Sequence, residues 1–377
     1  MVGFAILWHI TLETSSGVWM MLWTICTLLP QVAVSLFAGV WADRYNRKYL
    51  IMLADGFIAI ATLALAISFL LGSGAMELLL VASVIRGIGA GVQTPAVNAI
   101  YPQLVPEEKL TKVQGINQTL SSGLTLLSPA IGGLLLSTVG IVGAFFVDVI
   151  TAALAILVMS HIHVERPPAQ PKKSVWQDMG AGVSYIWRHR QLRRLIICFL
   201  FVFLFATPAF TMSHLVIVRT FGDEVWRLTA NEIVWSSAMI AGGIFVSVKG
   251  KFRNKPKTIA ICNIGFGVAF GLLGMSWSFT SFLVFMGMAG LFLPVVTTAQ
   301  TVFVQETVPA NMLGRVFAVI QIIMMGTVPV AVLFFGPLAD AVRIETILLI
   351  SSTLLALVGI IYGLNERRMK WRTETDV

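Results

Sequence analysis

Charge is scarce in this sequence. Asp, Glu, Lys and Arg make up 12% of its 377 residues, where a soluble domain carries about a quarter. Hydrophobic residues reach 57%, more apolar surface than a water-exposed fold can bury, so a soluble domain is excluded and lipid has to act as the solvent. Cysteine is scarcer still. Cys26, Cys198 and Cys262 are the full set, none in a CxxC spacing, which removes a disulfide framework and a cysteine-held zinc site and leaves three packing residues. His161 and His163 have the spacing of a metal pair but no third ligand nearby, and they read as interfacial residues. There is no nucleophile triad, phosphate loop or ATP motif, so an enzyme is not indicated, no cofactor is expected, and energy has to come from an ion gradient. The two-residue alternation of a membrane barrel is absent as well.

What is present is a series of apolar runs about 20 residues long, the length with which a helix crosses about 30 Å of hydrocarbon. They fall near 18–41, 49–72, 76–101, 113–138, 140–160, 195–218, 230–248, 257–278, 280–304, 315–339 and 344–364, which predicts eleven complete membrane helices. Residues 1–12 are apolar but too short to span, and they lack the basic start and cleavage site of a signal peptide. They read as a twelfth, first helix missing its beginning.

Of the 26 Lys and Arg residues, 22 fall in loops on one side of these spans, Arg219, Arg227 and Arg343 fall on the other, and Arg86 lies inside a span. The rich side is expected to face the cytoplasm, which puts the C-terminus inside and accounts for the net charge of +8 without a nucleic-acid partner.

The longest polar stretch, 161–194, separates an N-terminal half (1–160, helices 1–6) from a C-terminal half with its tail (195–377, helices 7–12). Its first part, 165–173, reads ERPPAQPKK and cannot span. Beyond it, Trp176, Val183, Ile186 and Trp187 interleave with Arg188, Arg190, Arg193 and Arg194, the pattern of a helix lying on the cytoplasmic leaflet; a solvated linker is the alternative. The halves repeat. VPEEKLTKV at 105–113 and VPANMLGRV at 308–316 match at an offset of 203, which Gly87/Gly290 and Thr94/Thr297 keep. Parallel repeats joined by a long loop suit a transporter whose halves rock about a midplane site.

Residues 39–48 read GVWADRYNRK. Gly39 permits close helix approach, Asp43 can accept bonds from a helix N-terminus, and Arg44, Arg47 and Lys48 can hold carboxylates or lipid phosphates and latch the halves. The alternative is that these basic residues only orient the helix pair. In the second half Gly242 and Gly243 precede KGKFR at 249–253 with no aspartate, a degenerate copy. On helix 4, RGIGAG at 86–91 places Arg86 about 14 Å from the outer end, where an unpaired charge is costly; a structural ion pair is the alternative to a functional one. Without a preceding strand, Gly87 and Gly91 read as a packing face rather than a nucleotide loop. Helix 5 carries SPAIGG, from Ser128 and Pro129 to Gly132 and Gly133, for which a proline kink is the plainer reading.

These motifs resemble those of the major facilitator superfamily: GxxxDRxGRK after helix 2, with Asn46 at the usual glycine; an arginine and glycines on helix 4; and GPxxGG on helix 5, with Ser128 at a glycine. Asn46 is expected to bend the loop through a left-handed turn as glycine would. PAVNA at 95–99, LVPEEKLTK at 104–112 and LGRVF at 313–317 are similar to the macrolide-efflux branch in particular. The resemblance implies a major facilitator fold with alternating access, a central cavity lined by helices 1, 4, 7 and 10, and proton-driven export of amphipathic drugs such as macrolides from a bacterial inner membrane by a monomer in contact with lipid. It also implies that Arg86 tunes a nearby acid. Candidate proton carriers are Asp148, about 12 Å from the outer end of helix 6, Glu13 with His9 on helix 1, Glu232, Glu306, and Asp55, which is expected beside Arg44 and Arg47. Helix 6 is usually peripheral in this fold, so a purely structural bond for Asp148 stands open. Siderophore or lysolipid export is the alternative within the class, and a transport-dead membrane sensor the alternative outside it.

Overall fold

A computed structural model describes residues 2–164, 175–249, 252 and 254–375. Thirteen α-helices and no strand occur among them: α1 (Val2–Thr14), α2 (Gly17–Arg44), α3 (Arg47–Leu70), α4 (Met76–Leu104), α5 (Glu107–Thr138), α6 (Gly140–His161), α7 (Val175–Arg188), α8 (Arg190–Val216), α9 (Val225–Lys249), α10 (Lys255–Gly274), α11 (Phe279–Thr307), α12 (Ala310–Ala341) and α13 (Ile344–Thr375). A π-helical turn, Ile217–Phe221, extends α8. All-helical structure follows from the solvent, because hydrocarbon offers backbone amides no partner and a helix satisfies them internally.

Each expected span coincides with a helix, α2–α6 and α8–α13, with ends shifted by a few residues. Among the described residues ten of them carry an apolar run long enough to cross a membrane, and the described part of the run in α5 is Gly123–Thr138. The apolar first segment forms the 13-residue α1. The prolines of 165–173 lie outside the described residues.

The internal repeat is visible in the helix boundaries. α4 and α11 begin and end 203 residues apart, as do α5 and α12, and Pro106 and Pro309 cap the latter pair in extended conformation. Proline suits that position because its missing N–H is one the helix could not have bonded. Elsewhere side chains start the helices: Asn46 accepts from Lys48 N, Asn254 accepts from Lys257 N, and Ser278 and Ser281 form a reciprocal capping pair. The tight α5–α6 turn runs through Gly140 at φ +68°, a conformation that costs a residue without Cβ nothing.

The helices form two compact units, Met1–Lys172 with Glu224–Thr229, and Lys173–Asp223 with Ala230–Val377. In the first, Val2, Ile6 and Ile10 of α1 pack with Leu65 and Ala66 of α3, Leu79 and Ala82 of α4, and Ile141 and Phe145 of α6. Close approach of α4 depends on its glycines. A Cβ on Gly87 would collide with the Thr27 carbonyl of α2, one on Gly91 would meet Gln31 O at 2.7 Å, and one on Gly89 would meet Ile58 of α3 at 2.6 Å. In the second unit Gly290 repeats this role, its would-be Cβ lying 2.8 Å from Ala238 and 3.0 Å from Trp235 O of α9.

The linker helix α7 packs against the second unit through one face. Ile186 enters the core of the second unit with residues of α8, α10, α11 and α12, and a Cβ on Gly182 would stand 2.7 Å from Arg315 O of α12. One face is thus docked on protein, while Val183 and Trp187 stay exposed and Arg193 lies 5.7 Å over the Trp187 ring. The Trp176 side chain lies outside the described residues. Sequence periodicity marks an apolar face but not whether protein or lipid covers it.

Replacing Gly87 with alanine puts a methyl group against backbone, and overpacking of this kind costs about 1–3 kcal/mol. Gly56→Ala, on α3 with nothing within 4 Å of its would-be Cβ, removes only the helix penalty of glycine, about 0.5–1 kcal/mol. Thermal unfolding in detergent will show a lower Tm for Gly87→Ala and an unchanged or higher Tm for Gly56→Ala.

Candidate functional site

Arg86, Thr62 and Asp148 converge in the first unit from α4, α3 and α6. Arg86 Nη1 donates to Asp148 Oδ2 at 2.5 Å and to Thr62 Oγ1 at 2.7 Å. Thr62 Oγ1 is 2.9 Å from Ile58 O and 3.2 Å from Asp148 Oδ2, one of which takes its proton. Thr62 is wholly buried, and the Arg86 and Asp148 side chains are 20% and 22% exposed. A lone charge at such a depth costs about 2.5–3.5 kcal/mol even on insertion scales. Here the charges meet, as their matched depths on helices 4 and 6 suggest.

Seven residues along each helix lies a second rung. Gln93 of α4 donates to Asp55 of α3 at 2.5 Å. Because seven residues are nearly two turns, about 10.5 Å, Asp55 and Thr62 share one face of α3, and Gln93 and Arg86 one face of α4. Asp55 was expected with Arg44 and Arg47 nearer the loop. It is bonded to Gln93 instead, because its place on α3 turns it towards α4, a matter of helical phase rather than of distance along the chain. Thr62 and Gln93 are the members that sequence reasoning missed, although their heptad spacing from Asp55 and Arg86 was visible.

The loop motif proves to be a clamp within the first unit. Asn46 has φ −65° and ψ 118°, so the expected left-handed turn is replaced by an extended N-cap; asparagine is a leading N-cap residue, and that preference wins here. Its Nδ2 donates to Val164 O. Lys48 Nζ donates to Ser160 O and Ile162 O, and Arg47 Nη1 to Ala99 O. These carbonyls belong to the closing turns of α4 and α6 or to the residues just beyond, where cations offset the negative helix end. The described bonds of Arg47 and Lys48 thus include backbone carbonyls at the ends of α4 and α6. The side chains of Gly39, Asp43 and Arg44 lie outside the described residues, as do Lys251 and Arg253 of the second copy.

On α5, Pro129, Gly132 and Gly133 are buried and Ser128 half-buried. A Cβ on Gly133 would stand 3.0 Å from Trp8 of α1 and collide with Thr229 at the start of α9, so the SPAIGG segment is a surface of close helix contact. Glu13 is exposed on α1, and His9 packs edge-on to Phe69 at 5.9 Å. Among the described residues neither is bonded to Arg86. Glu306 pairs with Lys255 at 2.8 Å. Glu232 Oε1 lies 2.9 Å from His214 Nε2, a partner the sequence reading missed although a histidine inside an apolar span was signal enough. His161 Nδ1 bonds to Leu157 O of its own helix.

Ten membrane-length apolar helices among the described residues, charges paired inside the bundle and a sequence repeat with matching helix ends define a multi-pass membrane transporter. The model of the Major Facilitator Superfamily matches residues 1–329, and the chain belongs to that superfamily. It is 27% identical to "Macrolide efflux protein A" of Streptococcus pyogenes over 366 residues, covering 95% of this chain and 89% of the relative. It is 25% identical to "Enterobactin exporter EntS" of Shigella boydii over 286 residues, covering 74% and 67%. A solved bacterial homolog of the human lysosomal transporter Spinster superimposes with a TM-score of 0.68 over 97% of this chain and 94% of its own, at 16% identity, which concerns the fold.

Removing one partner of a buried ion pair costs about 3 kcal/mol or more, while replacing both with apolar side chains can be neutral. Asp148→Asn will therefore lower the Tm in detergent, and the double variant Arg86→Met with Asp148→Leu will recover most of the loss.

Proposed function

We propose that the chain exports amphipathic drugs of the macrolide kind by proton antiport with alternating access, from the inner membrane of a bacterium, with its basic loops and C-terminus in the cytoplasm. The observation that carries the proton part is the Arg86–Asp148 pair inside membrane-spanning helices. Asp148 is the carrier: a proton arriving on its carboxylate cancels the charge that holds Arg86, and the guanidinium is freed to move with α4. Arg86 stays charged throughout and tunes the affinity of Asp148 for the proton. Asp55, bonded to Gln93 two turns away along the same α3–α4 seam, is a second carboxylate that proton can use. The Asn46–Arg47–Lys48 clamp keeps α4 and α6 in register at the cytoplasmic end, and the packing glycines of α4 and α5 let helices slide at close range. Likeness to a macrolide efflux protein over 95% of the chain supports the choice of cargo. Likeness to an enterobactin exporter supports siderophores as the second cargo to test.

Drug-triggered proton movement in everted vesicles tests the proposal. Addition of a macrolide is expected to release protons from vesicles carrying the wild-type chain, and Asp148→Asn and Arg86→Ala to reduce that signal at least tenfold while both proteins remain in the membrane. Wild-type vesicles that move no protons with a macrolide or a lipophilic cation would rule out the antiport reading; siderophore uptake is then the assay to run.

A further inference from the structure

The second unit holds a titratable pair that the proton pathway above does not use. His214 of α8 and Glu232 of α9 meet through Nε2 and Oε1 at 2.9 Å, with side chains 7% and 16% exposed. His214 Nδ1 is buried without a hydrogen-bond partner, and the second carboxylate oxygen of Glu232 takes no bond among the described residues. A buried polar atom left unpaired calls for a physical reason. One turn along α8 from His214 lies Phe210, and one turn along α9 from Glu232 lies Trp235. Because the helices run antiparallel, these two also meet, edge to face at 4.9 Å. Phe266 and Phe270 of α10 close the third side, with ring centroids 5.9 and 5.2 Å from Phe210. A carboxylate with a free oxygen thus lies one helical turn from an aromatic cluster, and Glu232, Phe210 and Trp235 are each partly exposed.

We infer that the Glu232–His214 pair with the Phe210–Trp235 cluster is a binding site for the cationic head of an amphipathic organic cation. A carboxylate in an apolar span favours a positive guest, and aromatic faces favour one that is large and weakly hydrated. An anion is excluded by the charge of Glu232. A metal ion would have two protein ligands here, and no cluster of three His, Cys, Asp or Glu residues occurs among the described residues, which is too few for a held metal. The site rests on the export reading for what its guest is, and it narrows the cargo to amphipathic amines and quaternary cations.

Equilibrium binding of tetraphenylphosphonium to the purified full chain in detergent tests the site, with triphenylphosphine oxide as an uncharged competitor. Tetraphenylphosphonium is expected to bind and to resist the neutral compound. Glu232→Gln is expected to weaken binding at least tenfold, and Glu77→Gln, an exposed acid at the start of α4, to leave it unchanged. Carbodiimide labelling of Glu232 in the wild-type chain, read by mass spectrometry, is expected to slow when tetraphenylphosphonium is present, and this needs no variant to fold. Wild-type affinity in a well-folded Glu232→Gln, or Glu232 labelling that ignores tetraphenylphosphonium, overturns the site. Cation binding that survives where vesicles show no drug-triggered proton movement would refute antiport and leave this site standing.

Discussion

Arg86 can sit inside the bundle because Asp148 and Thr62 come to it from two other helices. In hydrocarbon an ionised group has no water to fall back on, so its partners have to be supplied by the fold. That requirement ties α3, α4 and α6 together through their polar atoms, whereas apolar side chains in lipid give little preference for one helix neighbour over another. The Gln93–Asp55 bond repeats the tie two turns away, and the Lys48, Arg47 and Asn46 bonds repeat it at the helix ends. The first unit is pinned along its length by polar contacts, and its apolar core fills the space between them.

Small residues allow those contacts to form. Gly87, Gly89 and Gly91 bring α4 close to α2 and α3 at once, and the bonds of Arg86 and Gln93 to α3 form along that close seam. The charge and the glycines next to it are therefore one device: a larger residue at 87 would push α4 away from α2 and disturb the placement of Arg86, its neighbour in the chain.

Much of this was legible in the sequence because its signals are strong and local. A run of twenty apolar residues has few readings other than a membrane helix, and the 203-residue offset reappears in both ends of two helix pairs. The meeting of Arg86 with Asp148 could be expected from depth alone, since an arginine and an aspartate at similar depths in one half each need a partner. The misread residues fail on direction. Asp55 was assigned by its nearness to the basic loop, but a helix turns about 100° per residue and the turn of α3 decides which neighbour a side chain meets. Asn46 was read through the glycine it resembles, when its own capping preference was the better guide. Whether α7 rests on lipid or on α12 depends on the shape of another helix, which no local pattern contains.

The internal repeat separates what the fold requires from what chemistry adds. At the offset of 203, Gly87 corresponds to Gly290, and both press against the neighbouring helix α2 or α9. Arg86 at the same offset corresponds to Ala289, a wholly buried residue with no charge to satisfy. The packing device is thus present twice and the charged one once, so close packing of α4 does not by itself demand an arginine. Nor does the second unit compensate at the equivalent place: its buried titratable pair joins α8 to α9 rather than α11 to α13. Two copies of one scaffold thus carry different polar groups at different positions: an Arg86–Asp148 ion pair in the first unit, and in the second a His214–Glu232 pair one helical turn from aromatic rings.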